Sequence, residues 1–236
     1  MEIVPLGDSA LIIRVVADFD RDPERSLDAV LAAHRSLEAA AIPGVIELAP
    51  AYSTVTVFYD PTAVLYPPSK ENPFDCLKGK IEAFFKLRPL KRNKAVKARS
   101  VHIPVCYDRE FAPDLDDVAR ATKLDPEEVI RRHARAAYRV SCVGFIAGFP
   151  FLSGLPHELA TPRRSEPRKQ IPAGSVAIGG AQTGIYLRIS PGGWNVIGRT
   201  PLRLFDVEQE PPTVLQAGDR VRFRKISRRE FDSLSP

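Results

Sequence analysis

The sequence predicts an α+β chain in two parts. A small β-α-β-β-α domain spans residues 1–90, and a β-rich domain with a helical insertion spans 101–236. Three observations carry this reading. Two stretches of helical apolar spacing in the first part each begin with a side-chain cap followed by Pro, at Asp22-Pro23 and Asn72-Pro73. The second part holds many short β-branched runs separated by turn residues, the pattern of a barrel or sandwich. Between them, Lys86 to Arg99 carries seven basic residues, no acid and no apolar period, so a basic linker is expected over 91–100.

Taken in order, Ala10 to Val16 reads as a strand apolar enough to be buried almost continuously. From Asp22-Pro23-Glu24 a helix runs through Leu27, Val30, Leu31, His34 and Leu37, and Pro43-Gly44 stops it. Val45 to Leu48 and Val55 to Tyr59 follow as strands. Phe74, Leu77, Ile81, Phe84 and Phe85 then form a second amphipathic helix. The second part opens on the strand Val101 to Tyr107, with Pro104 at an edge or bulge. Two short helices come next, Pro113 to Ala121 and one starting at Asp125-Pro126, where Asp125 and Glu128 have capping-box spacing. Pro201 to Phe205 and Asp219 to Ile226 alternate as half-buried strands, the latter with its arginines on the wet face.

Function is expected between Gly144 and Asp206. This stretch holds ten of the 14 glycines and the single Trp. So much Gly and Pro excludes a helix, yet Val176, Ile178, Ile185, Leu187, Ile189, Val196 and Ile197 supply strand material between the turns. The turn from Gly179 to Gly184 matches neither phosphate-loop nor dinucleotide-loop spacing. It can act as an anion nest or as a plain hairpin between strands 176–178 and 185–189. Gln182 and Thr183, placed at its tip, favour a polar ligand. His157, Glu158, Arg163, Arg164 and Arg199 lie in or beside these loops, where they can bind a carboxylate and supply an acid or base.

Composition bounds the alternatives. The chain is 44% hydrophobic and 27% charged, enough to build a core with no obligate disorder. Its net charge of +5 permits anionic partners. No aromatic residue interleaves the basic run, so a solvated linker is favoured there over a nucleic-acid tether. Cys76, Cys106 and Cys142 are scattered, which argues against a disulfide framework or a thiolate metal site, and Cys142 reads as an inert buried thiol. The four histidines lack metal-ligand spacing. His34 and His133 sit in apolar helical stripes, as packed histidines do. No signal peptide or membrane span is read, and the expected location is cytoplasmic.

Several phrases occur together in one order: GFIAGFPFLSGLP, ELATPR, IPAGSVAIGGAQTGIY, SPGGWNVIGRTPLRLFD and GDRVRF, with GDSALII and PAYSTVTVFYDP nearer the start. Together they resemble the family of the B subunit of bacterial ATP-dependent 5-oxoprolinase. That family also includes a sporulation kinase inhibitor and the first-subunit module of allophanate hydrolase, and is similar to a carboxyltransferase subdomain of urea carboxylase. Ala147, Phe151 and Ser153 depart from the family pattern, which has Pro, Tyr and Gly there.

The resemblance implies an N-terminal α/β domain and a C-terminal cyclophilin-like β-barrel. It implies a partner, the C subunit of the same complex, together with a third 5-oxoprolinase component. ATP is implied as co-substrate, at a site on, or shared with, a partner. No metal or biotin site is read in this chain. The implied reaction is ATP-coupled opening of a cyclic amide, 5-oxo-L-proline to glutamate. Such chemistry needs oxyanion donors, a cation for the substrate carboxylate and an acid or base. Residue type and position assign Gln182 and Thr183, with Gly180 and Gly184, as loop donors. Arg163 or Arg199 is assigned as the cation, Glu158 as acid/base and His157 as a further ligand contact. The same resemblance carries two other roles, inhibition of a sensor histidine kinase by binding and a carboxyltransferase-like role in urea or amide metabolism.

Overall fold

The computed structural model describes residues 1–65, 70–89 and 98–235. They fall into two compact units, one within 1–97 and the other within 98–236. The first unit is a four-stranded antiparallel sheet. Its elements are β1 (Glu2–Pro5), β2 (Ala10–Arg14), α1 (Pro23–Ala40), β3 (Val45–Ala51), β4 (Thr54–Tyr59), a single-turn α2 (Pro61–Val64) and α3 (Pro73–Leu87). The strand order is β1-β2-β4-β3.

One face of that sheet is the core. Val55, Val57 and Tyr59 alternate inward from β4 beside Leu11 and Ile13 from β2. Val30, Ala33 and Leu37 of α1 and Leu77, Ile81 and Phe85 of α3 pack onto them. A fully buried aliphatic side chain of this kind contributes about 1.5–3 kcal/mol. The β2 strand is shorter and more one-sided than its apolar run suggests. It ends at Arg14, and Ile12 is only half-buried, because the sheet has a single covered face. β1 leaves no mark in the sequence pattern, being four residues long and ending in Pro.

Caps explain where the helices begin and end. Asp22 accepts from the Arg25 amide and Asn72 from the Phe74 amide, as the cap-plus-Pro pattern predicts. The α1 stop differs. The helix ends at Ala41, which adopts φ 43° and returns its N–H to Glu38, before Pro43-Gly44 is reached. The capping box read at Asp125 is absent. Glu128 turns instead to the guanidinium groups of Arg131 and Arg132. A capping box does form at Ser227 and Glu230.

The second unit is a closed seven-stranded barrel that also carries helices. In chain order it contains β5 (Ser100–Cys106), α4 (Leu115–Thr122), α5 (Pro126–Arg135), β6 (Tyr138–Val143) and β7 (Pro150–Ser153). These are followed by β8 (Arg168–Ile171), β9 (Ser175–Gly179), β10 (Gln182–Ile185), β11 (Ser190–Gly192), β12 (Asn195–Arg199), β13 (Arg220–Ile226) and α6 (Arg228–Leu234). The barrel order is β10-β7-β6-β13-β5-β12-β9, and β8 and β11 form a separate ribbon. β5 and β13 run parallel in continuous register from Ser100–Arg220 to Cys106–Ile226. Pro104 is tolerated on β5 because β12 meets that strand only through the Arg199–Cys106 pair. Tyr138, Val140, Leu152, Val176, Ile178, Ile185 and Ile197 fill the interior, and α4 and α5 bring Val118, Val129 and Ile130 onto the same core.

Two strand readings and the linker's end are corrected. Pro201 to Leu204 is irregular chain, with the Leu202 amide turned to the Thr200 hydroxyl, and Phe205 makes only an isolated bridge to Thr213. β10 stops at Ile185, so Leu187 and Ile189 lie outside it. The basic run belongs partly to the barrel: Arg99 pairs with the nearly buried Asp219 and Ser100 opens β5. Residues 91–97 of the expected linker lie outside the described residues. β13 keeps its predicted alternation, with Arg220, Arg222 and Arg224 exposed between buried Val221 and Phe223.

The contrast between caps is testable in unfolding. Asp22→Ala should lower stability by about 1 kcal/mol, the usual cost of losing a capping side chain. Asp125→Ala, which removes no cap bond, should cost less than half of that. Chemical-denaturation midpoints measure both, and equal losses would contradict the assignment.

Candidate functional site

The glycine-rich stretch builds an aromatic cavity of about 270 Å³. Its centre is Phe149, which precedes β7 and is 1% exposed. Four rings surround it at centroid distances of 4.8–5.7 Å: Phe145, Phe151, Tyr186 and Trp194, three of them edge-on. Edge-to-face contacts of this kind add about 0.5–1.5 kcal/mol each beyond burial. The β6–β7 loop shapes the mouth. Its ends are joined by the Gly144 amide to Phe149 carbonyl bond, and Phe145 projects with a positive φ of 64° and 65% exposure.

Glycines let the rings pack. A Cβ on Gly179 would lie 2.5 Å from the Trp194 ring, and one on Gly184 would lie 2.8 Å from Phe149. The Arg163 guanidinium lies over Trp194 at 5.9 Å, within cation–π range, and lines the cavity. Burial pushes the Tyr186 phenol up, against weaker opposing pulls from the Trp194 backbone and Arg163, so the phenol keeps its proton at neutral pH. An apolar wall with one cation and one phenol can hold a small anion-bearing ring.

The segment that carries Arg163 is tied to the residues on either side of Trp194. The Arg164 amide donates to the Gly193 carbonyl, and the Asn195 amide group donates to the Pro162 carbonyl. Residues 1–215 match the carboxyltransferase domain, subdomain C and D family. The chain belongs to that family. It is 44% identical over 232 residues to the 5-oxoprolinase B subunit of Bacillus subtilis strain 168, covering 98% of this chain and 95% of that protein. It is 40% identical over 223 residues to the 5-oxoprolinase B subunit of Haemophilus influenzae, covering 94% and 97%. The Kluyveromyces lactis urea carboxylase structure shares the fold at 20% identity and a TM-score of 0.74, and this chain spans 22% of its length.

In this member of the carboxyltransferase-domain family, the predicted site residues are dispersed. Gln182 and Thr183 are not at a loop tip. The turn is only Gly180 and Ala181, and both polar residues continue into β10. Thr183 is fully buried and donates to the Ala177 carbonyl while its oxygen meets His133 Nε2 at 3.0 Å. The Gly180 N–H is spent on the Thr161 carbonyl. With Gly179 packed against the indole, the turn does not fit a phosphate cradle. Arg199 donates to the Ala173 carbonyl and lies over Phe111, away from the cavity.

Glu158 and His157 sit on an exposed turn, paired with each other at 3.1 Å. Glu158 also reaches Arg132 at 3.2 Å. A hydrogen bond from its own amide, then His157 and Arg132, hold its carboxyl below the usual range. Neither residue lines the cavity. Sequence reasoning missed Phe149, Tyr186 and Trp194 as its walls. The signal was the clustering of aromatics at glycine neighbours in GFPF and GGW. Phe151, which lacks the hydroxyl of the family pattern, keeps its wall apolar, and the phenol comes from Tyr186 instead.

A larger hollow of about 580 Å³ lies in the first unit between the end of α1 and β3. Its lining has no aromatic and no guanidinium group, and its histidine, His34, meets the Leu48 carbonyl. Among the described residues no group of three or more His, Cys, Asp or Glu side chains is placed to hold a metal ion. No helix among them is long and apolar enough to cross a membrane. Burial pushes the half-buried Cys142 thiol up, which suppresses its thiolate.

The barrel interior holds a buried polar chain. Because Thr183 donates to Ala177, it accepts from His133 Nε2–H, and His133 Nδ1 accepts from the Tyr107 hydroxyl at 2.8 Å. Burial lowers His133 from 6.5 to about 3. Between those values the unfolded chain takes up a proton that the folded barrel refuses. This contribution to stability is complete above pH 6.5 and declines toward pH 3, by about 1.4 kcal/mol per pH unit. Urea midpoints measured from about pH 6.5 to 4.5 should fall less steeply for His133→Gln than for the wild type. Equal slopes would show that His133 does not control the acid limb.

Proposed function

We propose that this chain is the B subunit of an ATP-coupled 5-oxoprolinase and that the aromatic cavity receives the cyclic amide. The names of the bacterial relatives described above support the subunit role. One observation supports the cavity. Of the three arginines expected to bind a carboxylate, Arg164 is held by Asp114 and Arg199 by the Ala173 carbonyl. Arg163 makes no ion pair with a described residue and lies beside the cavity's indole.

In this reading Arg163 takes the substrate carboxylate, and the planar lactam ring lies among Phe149, Phe151 and Trp194. Charge-assisted bonds to a guanidinium are short and strong where apolar walls exclude water. The Tyr186 hydroxyl can donate to a substrate oxygen. Phosphoryl transfer from ATP and the acid/base steps are assigned to the partners, namely the C subunit of the complex and a third component. The Gly180–Ala181 turn offers no free cradle, and Glu158 is ionised and off the cavity. The chain thus supplies a substrate-binding half of a shared site.

Reconstitution tests the proposal. Mixed with its partner subunits, the chain should give phosphate release that depends on 5-oxoproline. No release above that of the partners alone overturns the enzyme reading. Arg163→Ala should raise KM for 5-oxoproline by about 10–100-fold, the equivalent of one lost charged hydrogen bond, with kcat little changed. An unchanged KM would remove the cavity from the reaction.

A further inference from the structure

Asp114 stands at the start of α4, where an aspartate usually caps the helix, yet its side chain makes no cap bond. It is 0% exposed. All four of its carboxylate bonds go elsewhere. Oδ1 accepts from Arg164 Nη1 at 2.6 Å and Arg168 Nη2 at 2.7 Å. Oδ2 accepts from Arg168 Nη1 at 2.6 Å and the Val196 amide at 2.7 Å. The Asp114 amide in turn donates to the Val196 carbonyl at 3.0 Å.

These partners bracket the cavity wall on both sides. Arg164 and Arg168 lie on the segment that carries Arg163, and Val196 lies two residues beyond Trp194. We infer that Asp114 is the positioning residue of this wall: it holds the Arg163 segment against β12, whose start is preceded directly by Trp194, and so keeps the Arg163 guanidinium over the indole. The geometry also explains the choice of arginine. Its neighbours Arg164 and Arg168 are drawn to the buried carboxylate, which leaves Arg163 pointing to the cavity. A carboxylate has about four acceptor sites, and here every one is filled, so Arg163 cannot be recruited as well.

The inference rests on the substrate reading only for its kinetic arm. Its optical arm does not, because Trp194 is the single tryptophan of the chain. Acrylamide quenching of its fluorescence reads the shielding of the indole in the ligand-free protein. Arg163→Ala should raise the quenching constant. Asp114→Asn should raise it likewise, and the double variant should match Arg163→Ala alone, since both changes remove the same cover. In the reconstituted enzyme, Asp114→Asn should raise KM for 5-oxoproline by about 10–100-fold with kcat little changed, and should add nothing to Arg163→Ala.

Arg168→Gln supplies the second variant if Asp114→Asn does not fold. It loosens one arm from a partly exposed position, and its effect on quenching and KM should run in the same direction but be smaller. A folded Asp114→Asn or Arg168→Gln protein that quenches like the wild type overturns the positioning role. So does a quenching increase that adds fully to that of Arg163→Ala. The two readings separate cleanly. If the variants quench alike but Arg163→Ala leaves KM unchanged, the substrate assignment falls and the positioning role stands.

Discussion

A buried carboxylate must find donors within the protein, and this constraint organises the cavity side of the barrel. Asp114 is separated by 50 to 82 residues in sequence from the groups that satisfy it. Removing one partner of a buried ion pair commonly costs about 3–5 kcal/mol, so the loop of residues 162–168 is not free to drift from β12. Side chains held in this way arrange their neighbours. Two arginines are drawn inward to the carboxylate, and the third is left facing the cavity.

The glycines of the same stretch serve a different purpose from the one their number suggests. Gly179 and Gly184 are not backbone donors waiting for a ligand. Each is a gap in the strand surface that an aromatic ring fills, the Trp194 indole in one case and Phe149 in the other. The GGW and GFPF phrases are therefore two sides of one contact. The rings make the cavity's apolar wall, and the missing side chains give the wall its depth.

Much of the fold was legible because it follows from local rules. The caps at Asp22 and Asn72 depend on their own neighbours, and the alternation of Val55, Val57 and Tyr59 needs only a sheet with one covered face. The misreadings share a cause. Asp125 looks like a cap, but Glu128 answers to two arginines on its own helix. Gln182 and Thr183 look like loop residues because the two-residue turn before them is shorter than the glycine spacing suggests. Asp114 gave no local sign of its role, since what it does is set by residues far along the chain, and the glycine-flanked aromatics around Phe149 and Trp194 marked a ring cluster without showing that it walls a cavity. The family phrases located the stretch that matters, and only the packing showed which of its residues face a cavity.

The parallel pairing of β5 with β13 has a consequence for the birth of the protein. Antiparallel neighbours can zip together as they leave the ribosome, but β5 finds its full-length partner only after the whole intervening barrel sequence has been made. At ordinary synthesis rates that wait is on the order of ten seconds. Throughout it, β5 has an open side and the interior it should cover remains accessible. Contacts so distant in sequence close slowly even in a finished chain. The nascent barrel therefore keeps an unpaired strand until synthesis is nearly over, and β13 is the strand that ends the exposure.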